Sequence, residues 1–324
     1  MRGDRAANAG IALIIVLVIT AILASLSFSL SIQTNKSTEL VREYEAYTQL
    51  HYATLDAEAK ALASLSLPRD SLTNNERTRP GQLEEHYIIS QDRSNPIRVS
   101  MTVIDLQSKF NLSELSTQSN PIGQRKSSEV YHRFCRELGI VNHMCAALEQ
   151  LVQSDSYAST TSPFNEARLH NWIHRLASRS LLDEHSLRML LQHFTVLPPG
   201  TPINLQTTPE PLLVAMLGGA SEAQIREFLA FRREMRLSVN LKQSVNPLLS
   251  RLSRSSLNVG NSSEFFEVFT TATAGKASRT LRTLVHRNGS SGRSTILSRQ
   301  VPDVLIAPSI QDKTSENFLS FRNN

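Results

Sequence analysis

The chain lacks the marks of most enzyme classes. It has no His-Glu-x-x-His, no Ser-x-x-Lys, no Gly-x-Ser-x-Gly, no phosphate-cradling glycine loop and no dinucleotide fingerprint. Zinc chemistry has little to build on. Neither cysteine has a second one two to four residues away, and the histidine pairs His170/His174 and His185/His193 bring no further ligands of the usual spacing. Charge is sparse at 19% of residues. The net charge of +5 is spread out, not bunched as in a nucleic-acid footprint. With two cysteines, Cys135 and Cys145, an exported domain could hold one disulfide, or the chain two unrelated buried thiols. No second long apolar run occurs, which leaves at most one membrane span.

The one apolar run that is present begins at Ile11. No charge falls between Arg5 and Lys36, and Ile11 to Ile32 is apolar or small and hydroxylic throughout. That is longer than a signal-peptide core and long enough to cross a bilayer. Arg2 and Arg5 against Asp4 place the N-terminus in the cytoplasm. From Gln33 to Leu67 there is neither Pro nor Gly, and Pro68 supplies the stop. Leu40, Tyr44, Tyr47, Leu55, Leu62 and Leu65 recur at helical spacing, so a rod over 11–67, with its second half packed on a globular head, is expected.

The head reads as mixed. Ile97, Val99, Met101 and Val103 alternate with polar residues, a half-buried strand, with "HYIIS" as its partner across "QDRSNP". Phe110 and Leu112 are expected to plug the sheet against the long helix, with Asn111 turning the chain by side-chain to backbone bonds. Four helices follow, marked by Val130/Phe134/Leu138, by "HMCAALEQLVQ", by Leu169/Trp172/Ile173/Leu176 and by Leu187/Leu190/Leu191/Phe194. Thr208 is placed to cap a helix starting at Pro209, which Gly218-Gly219 ends. Ser221 and Gln224 form a capping box for the next. Strands return near 264–272, 279–287 and 294–300. The helix-Gly-Gly-helix passage also resembles a helix-hairpin-helix DNA module. Its Arg226, Arg232, Arg233 and Arg236 alternate with Glu222, Glu227 and Glu234, which favours a solvated face.

"NAG" before "IALIIVLVITAILASL" resembles a type IV pilin-like leader. Four further stretches resemble, in order, the K-type minor pseudopilin of the type II secretion system. They are "EYEAYTQLHYATLDAEAKALASLSL", "RVSMTVIDLQSKFNLSELS", "TSPFNEARLHNWIHRLASRSLLDEHSLRMLLQHFTVLPPG" and "PINLQTTPEPLLVAMLGG". Gln206 stands where the family has its second asparagine. The resemblance implies an α+β, type IV pilin-like fold: a long N-terminal helix on a small antiparallel sheet, with an inserted all-helical domain. It implies a leader over 1–10, a helix over 11–67 spanning the membrane at 11–32, a pilin-like domain in two parts (82–119 and 201–303), an insertion over 120–200 and a tail over 304–324. Prepilin peptidase would cut between Gly10 and Ile11. Ile15 then holds the fifth mature position, where most relatives carry Glu; its absence marks the K type and suits a subunit with none above it. The implied partners are I-type and J-type minor pseudopilins, other pseudopilins, the inner-membrane secretion platform and the lipid bilayer, with no nucleic acid and no cofactor. The location is the inner membrane, single-pass, with the head periplasmic. Family members can bind calcium through dense acidic clusters. Here Glu149, Asp155 and Glu166 are scattered, so calcium is not carried over, and Asp155 leads for any weak site. Other readings are a minor pilin of an adhesion or DNA-uptake pilus, a tethered DNA binder and a generic envelope anchor.

Overall fold

The computed structural model describes residues 4–66, 82–89, 96–116, 121–156, 166–179, 181–235, 257–275 and 277–301. The expected tail over 304–324 and most of the "QDRSNP" turn lie outside them.

Helix α1 runs from Asp4 to Ser66, 63 residues, or about 95 Å at the α-helical rise. It begins within the segment read as a leader, not at Ile11. Among the described residues it is the one helix long and apolar enough to cross a membrane, by length and composition.

Five strands form one antiparallel sheet in the order β1-β2-β7-β8-β9: β1 (Gln82–Ile88), β2 (Arg98–Asp105), β7 (Phe265–Ala274), β8 (Ala277–Arg287) and β9 (Ser294–Gln300). The expected strands and hairpin are therefore present, with Val103 opposite Val268 and Phe266 opposite Val285. Strands β2 and β7 are neighbours in space, and the described elements between them in sequence are inserted at one end of the sheet.

One sheet face packs on α1. Leu50, Ala53 and Ala57 meet Val99, Ala272 and Ala274, while Ala61 and Leu65 meet Met101, Val103, Phe266, Val268 and Val285. The buried helix face is thus largely alanine, which lets the helix lie close on the pleat. The expected leucine–tyrosine stripe fails in its first half: Leu40, Tyr44 and Tyr47 are 65%, 74% and 53% exposed. The physical reason is that α1 meets the apolar surface of the head only from Leu50 onward. Two polar ties secure it. Buried Glu58 accepts hydrogen bonds from Thr283 and Arg299, and Arg287 donates to the Leu65 carbonyl.

The inserted lobe contains α2 (Pro121–Glu137), α3 (Asn142–Ser156), α4 (Glu166–Ser178) and α5 (Glu184–His193), followed by the short strands β4 (Phe194–Thr195) and β5 (Ile203–Asn204) and by α6 (Glu210–Leu217) and α7 (Glu222–Met235). Strand β3 (Phe110–Asn111) pairs with β4, and β6 (Val259–Gly260) with β5, both parallel. Phe194 therefore sits in a strand, not on the fourth helix. The lobe's apolar core does not stop at Gly200, the expected end of the insertion. Leu212, Leu213, Met216 and Phe228 share one cluster with Phe134, Leu148 and Trp172, so α6 and α7 pack with the helical lobe.

Two local expectations are corrected. Thr208 does not cap α6, which starts at Glu210 with Pro209 at the cap position; the Thr208 hydroxyl is fully buried and donates to the Asn204 carbonyl at 2.6 Å. Phe110 and Leu112 do not wedge the sheet against α1. They enter the core of the lobe, where the Phe110 ring lies 5.7 Å from Tyr131 and 6.0 Å from Phe194. The Ser221–Gln224 capping box forms as expected, each backbone N–H meeting the other's side chain.

Candidate functional site at the joint between sheet and lobe

The chain leaves β2 through "DLQSKFN", in which four polar residues stand two apart: Asp105, Gln107, Lys109, Asn111. All four are buried. An unpaired buried polar group is costly, and each of these finds partners far away in sequence. Asp105 caps the short 3-10 turn Leu106–Ser108 by accepting from the Gln107 backbone N–H at 2.8 Å. Its other oxygen accepts from Asn204 Nδ2 at 3.1 Å, Thr207 Oγ1 at 2.5 Å and Ser263 Oγ at 2.6 Å. Burial pushes its carboxyl up from the ordinary value, against the pull of those four donors. Gln107 donates to the Pro202 carbonyl at 2.7 Å and accepts from the backbone N–H groups of Glu264 and Phe265.

Lys109 donates to the Leu191 carbonyl at the end of α5, 3.1 Å away. Burial lowers its pKa, with the carboxylate of Glu267 acting the other way. Glu267, buried on the face of β7 opposite α1, pairs with Arg282 of β8. Burial pushes the Glu267 carboxyl up and brings the Arg282 guanidinium down to about 10. Asn111 accepts from the Ser113 and Leu197 N–H groups and donates to the Pro198 carbonyl. The expected turn role of Asn111 is present, and its long-range bonds also bring the lobe's β4 segment against β3.

The two motifs that looked separate in sequence, "DLQSKFNL" and "INLQTT", are thus one hydrogen-bonded knot. Sequence reading singled out Asn111 but missed Asp105, Gln107 and Lys109. Their two-residue polar spacing directly after an apolar strand was the available signal. Chemically, Asp105 has donors on both oxygens, one on the first and three on the second, which suits holding elements together.

The other expected site residues are dispersed. Gly10, Ile11 and Ile15 fall in α1, and their side chains lie outside the described residues. Cys135 of α2 and Cys145 of α3 are paired as a disulfide, buried, with Cα atoms 6.6 Å apart. Among the described residues no three His, Cys, Asp or Glu side chains converge. His185 instead lies 3.1 Å from the Leu138 carbonyl. The oxygens a calcium ion would need are engaged: Asp155 binds Trp172 and Arg175, and Glu149 binds Ser128 and His132. Among the described side chains these two carboxylates do not fit that ion, and the side chain of Glu166 lies outside the described residues. The α6–α7 hairpin is also committed to packing. Arg232 donates to the Thr208 carbonyl, Arg226 pairs with Glu222, and a Cβ on Gly218 would stand 3.1 Å from the Arg133 guanidinium. The side chains of Arg233 and Arg236 lie outside the described residues.

No protein-family model matches the chain, and no curated protein matches it. Among solved structures it is similar to a chain of the GspK-GspI-GspJ complex from the enterotoxigenic Escherichia coli Type 2 Secretion System. The TM-score is 0.54 with 17% identity, over 82% of this chain and 99% of that one. The chain shares the fold of that chain. At that identity the likeness is one of fold.

Proposed function

We propose that this protein is a K-type minor pseudopilin, seated at the tip of a type II secretion pseudopilus and helping to start its assembly. The observation that carries the proposal is where the lobe sits. Passing along α1 from Leu50 to Leu65, the contacts move along the sheet from Ala274 to Val285 and Phe266, toward the end where the lobe is joined. The lobe therefore occupies the pole of the head farthest from the apolar half of α1. A mass there obstructs stacking of another subunit by excluded volume, while the apolar half of α1 is free to pack among like helices below. Fold likeness to a chain from a GspK-GspI-GspJ complex supports this reading, as does Ile15 in place of the usual Glu. A buried glutamate pairs with a neighbour's terminal amine at a cost; a topmost subunit has less need of one.

In this proposal the chain sits in the inner membrane by one span with its head in the periplasm. Prepilin peptidase cuts between Gly10 and Ile11, and I-type and J-type pseudopilins bind beside it on the secretion platform. It acts mechanically, without turnover. Intact-mass measurement of the membrane-extracted chain tests the processing: the mature protein should begin at Ile11, and a chain retaining Met1 in a peptidase-positive cell refutes it. Co-purification with the I-type and J-type subunits, and loss of secretion on deletion, separate this reading from a minor pilin of a retractile pilus.

A further inference from the structure

Helix α3 ends and α4 begins across residues 157–165, a stretch, outside the described residues, that contains no Asp and no Glu. The joint is closed from its two flanks. Asp155, in the last turn of α3, accepts a hydrogen bond from the Trp172 indole N–H at 2.5 Å through one oxygen and from Arg175 Nη1 at 2.9 Å through the other. Trp172 and Arg175 lie one turn apart on α4, so both reach the same carboxylate. The indole is buried in the lobe core beside Leu176 and Leu169, whereas the ion pair is partly exposed, with 38% of the Arg175 side chain and 27% of the Asp155 side chain open to solvent.

A divalent cation closing such a joint needs several free oxygen ligands, commonly carboxylates. Here Asp155, the carboxylate at the joint among the described side chains, already holds a guanidinium, which supplies the positive charge from within the chain and repels a second cation; the side chain of Glu166 at the start of α4 lies outside the described residues. From this we infer that Arg175 is a built-in cation: it fixes α4 on α3 in place of a metal ion, and the lobe folds and keeps its shape without calcium. Arg175 acts as a positioning residue, setting Asp155 so that it receives Trp172. The inference rests on this geometry and is independent of the tip assignment.

The protein carries its own reporter, because Trp172 is the chain's single tryptophan. The full chain in detergent is melted in millimolar calcium and in chelator, following Trp172 emission. The wild-type melting temperature and emission maximum should coincide in the two conditions. Arg175→Met should lower the melting temperature by about 2–4 °C and red-shift Trp172 emission, equally with and without calcium. Arg175→Lys, which keeps the charge, should stay close to wild type. Should Arg175→Met fail to fold, Asp155→Asn keeps an acceptor for Trp172 while losing the ion pair, and should show the same calcium-indifferent loss. A calcium-dependent rise in the wild-type melting temperature, or a saturable change of Trp172 emission with calcium, overturns the inference. It is equally overturned if Arg175→Met or Asp155→Asn melts as wild type, or if Arg175→Lys behaves as Arg175→Met.

Discussion

Replacing Asp105 by alanine should loosen the head at its joint. Four donors lose their acceptor together: the Gln107 backbone N–H, Asn204 Nδ2, Thr207 Oγ1 and Ser263 Oγ. At about 1 kcal/mol net per hydrogen bond the loss is roughly 4 kcal/mol. Part is recovered, because removing the carboxylate also removes the burial that holds its pKa up. A net destabilisation of about 2–4 kcal/mol remains, or a fall in melting temperature on the order of 5–15 °C for a domain of this size. Asp105→Asn should fall between. Its amide oxygen can serve the three side-chain donors only if its NH2 group faces the Gln107 N–H. Thermal melts of the full chain by circular dichroism, alongside Trp172 fluorescence as a probe of the lobe, measure both effects. If Asp105→Ala melted within a degree or two of wild type, the knot would not be what joins lobe to sheet.

Ala57→Leu tests the close approach of α1. Ala57 is fully buried against the sheet, and overpacking should cost about 1–3 kcal/mol, read as earlier thermal unfolding and faster proteolysis of the head. Asp183 caps α5 by accepting from the Ser186 N–H at 2.7 Å, and this bond holds its carboxyl below the ordinary value. Because the folded pKa is depressed, its stabilisation is complete above the unfolded value and is lost as pH falls through the folded one. Asp183→Ala should therefore cost about 1 kcal/mol at neutral pH, and the gap from wild type should close in acid melts. The Cys135–Cys145 bond should be found in protein extracted from the cell envelope, as a chain lighter by its two thiol hydrogens. Cys135→Ser should cost about 2–3 kcal/mol through the closed loop, and a wild-type melt unchanged by reductant would count against it.

Much of the fold was legible because its signals are local. The uncharged run from Ile11 to Ile32 and the Pro-free, Gly-free stretch behind it announce a rod. Alternation over Ile97–Val103 and turn residues between 272 and 294 announce strands and a hairpin. The Ser221–Gln224 capping box needed only residues three apart. The face of α1 that meets the sheet was not legible, since Ala53, Ala57 and Ala61 carry no strong hydrophobic signal. Alanine is buried here for closeness of packing, and the stronger-looking stripe through Tyr44 lies outside the head. Thr208 looked like a cap because capping residues and buried hydroxyls are the same residue types.

What the sequence alone determined is the set of elements and their order: one greasy rod, a sheet and a run of helices between its strands. Only the tertiary structure decided that Asp105, Gln107, Lys109 and Asn111 answer Asn204, Thr207, Ser263, Glu264, Leu191 and Leu197. It alone decided that α6 and α7 share the lobe's core, and that Asp155 is held by Arg175 and Trp172. Periodicity is written in neighbours a few residues apart. A hydrogen-bond partner some hundred residues away is chosen by the closure of the whole chain, and a buried polar group reveals its role only once that partner is in place.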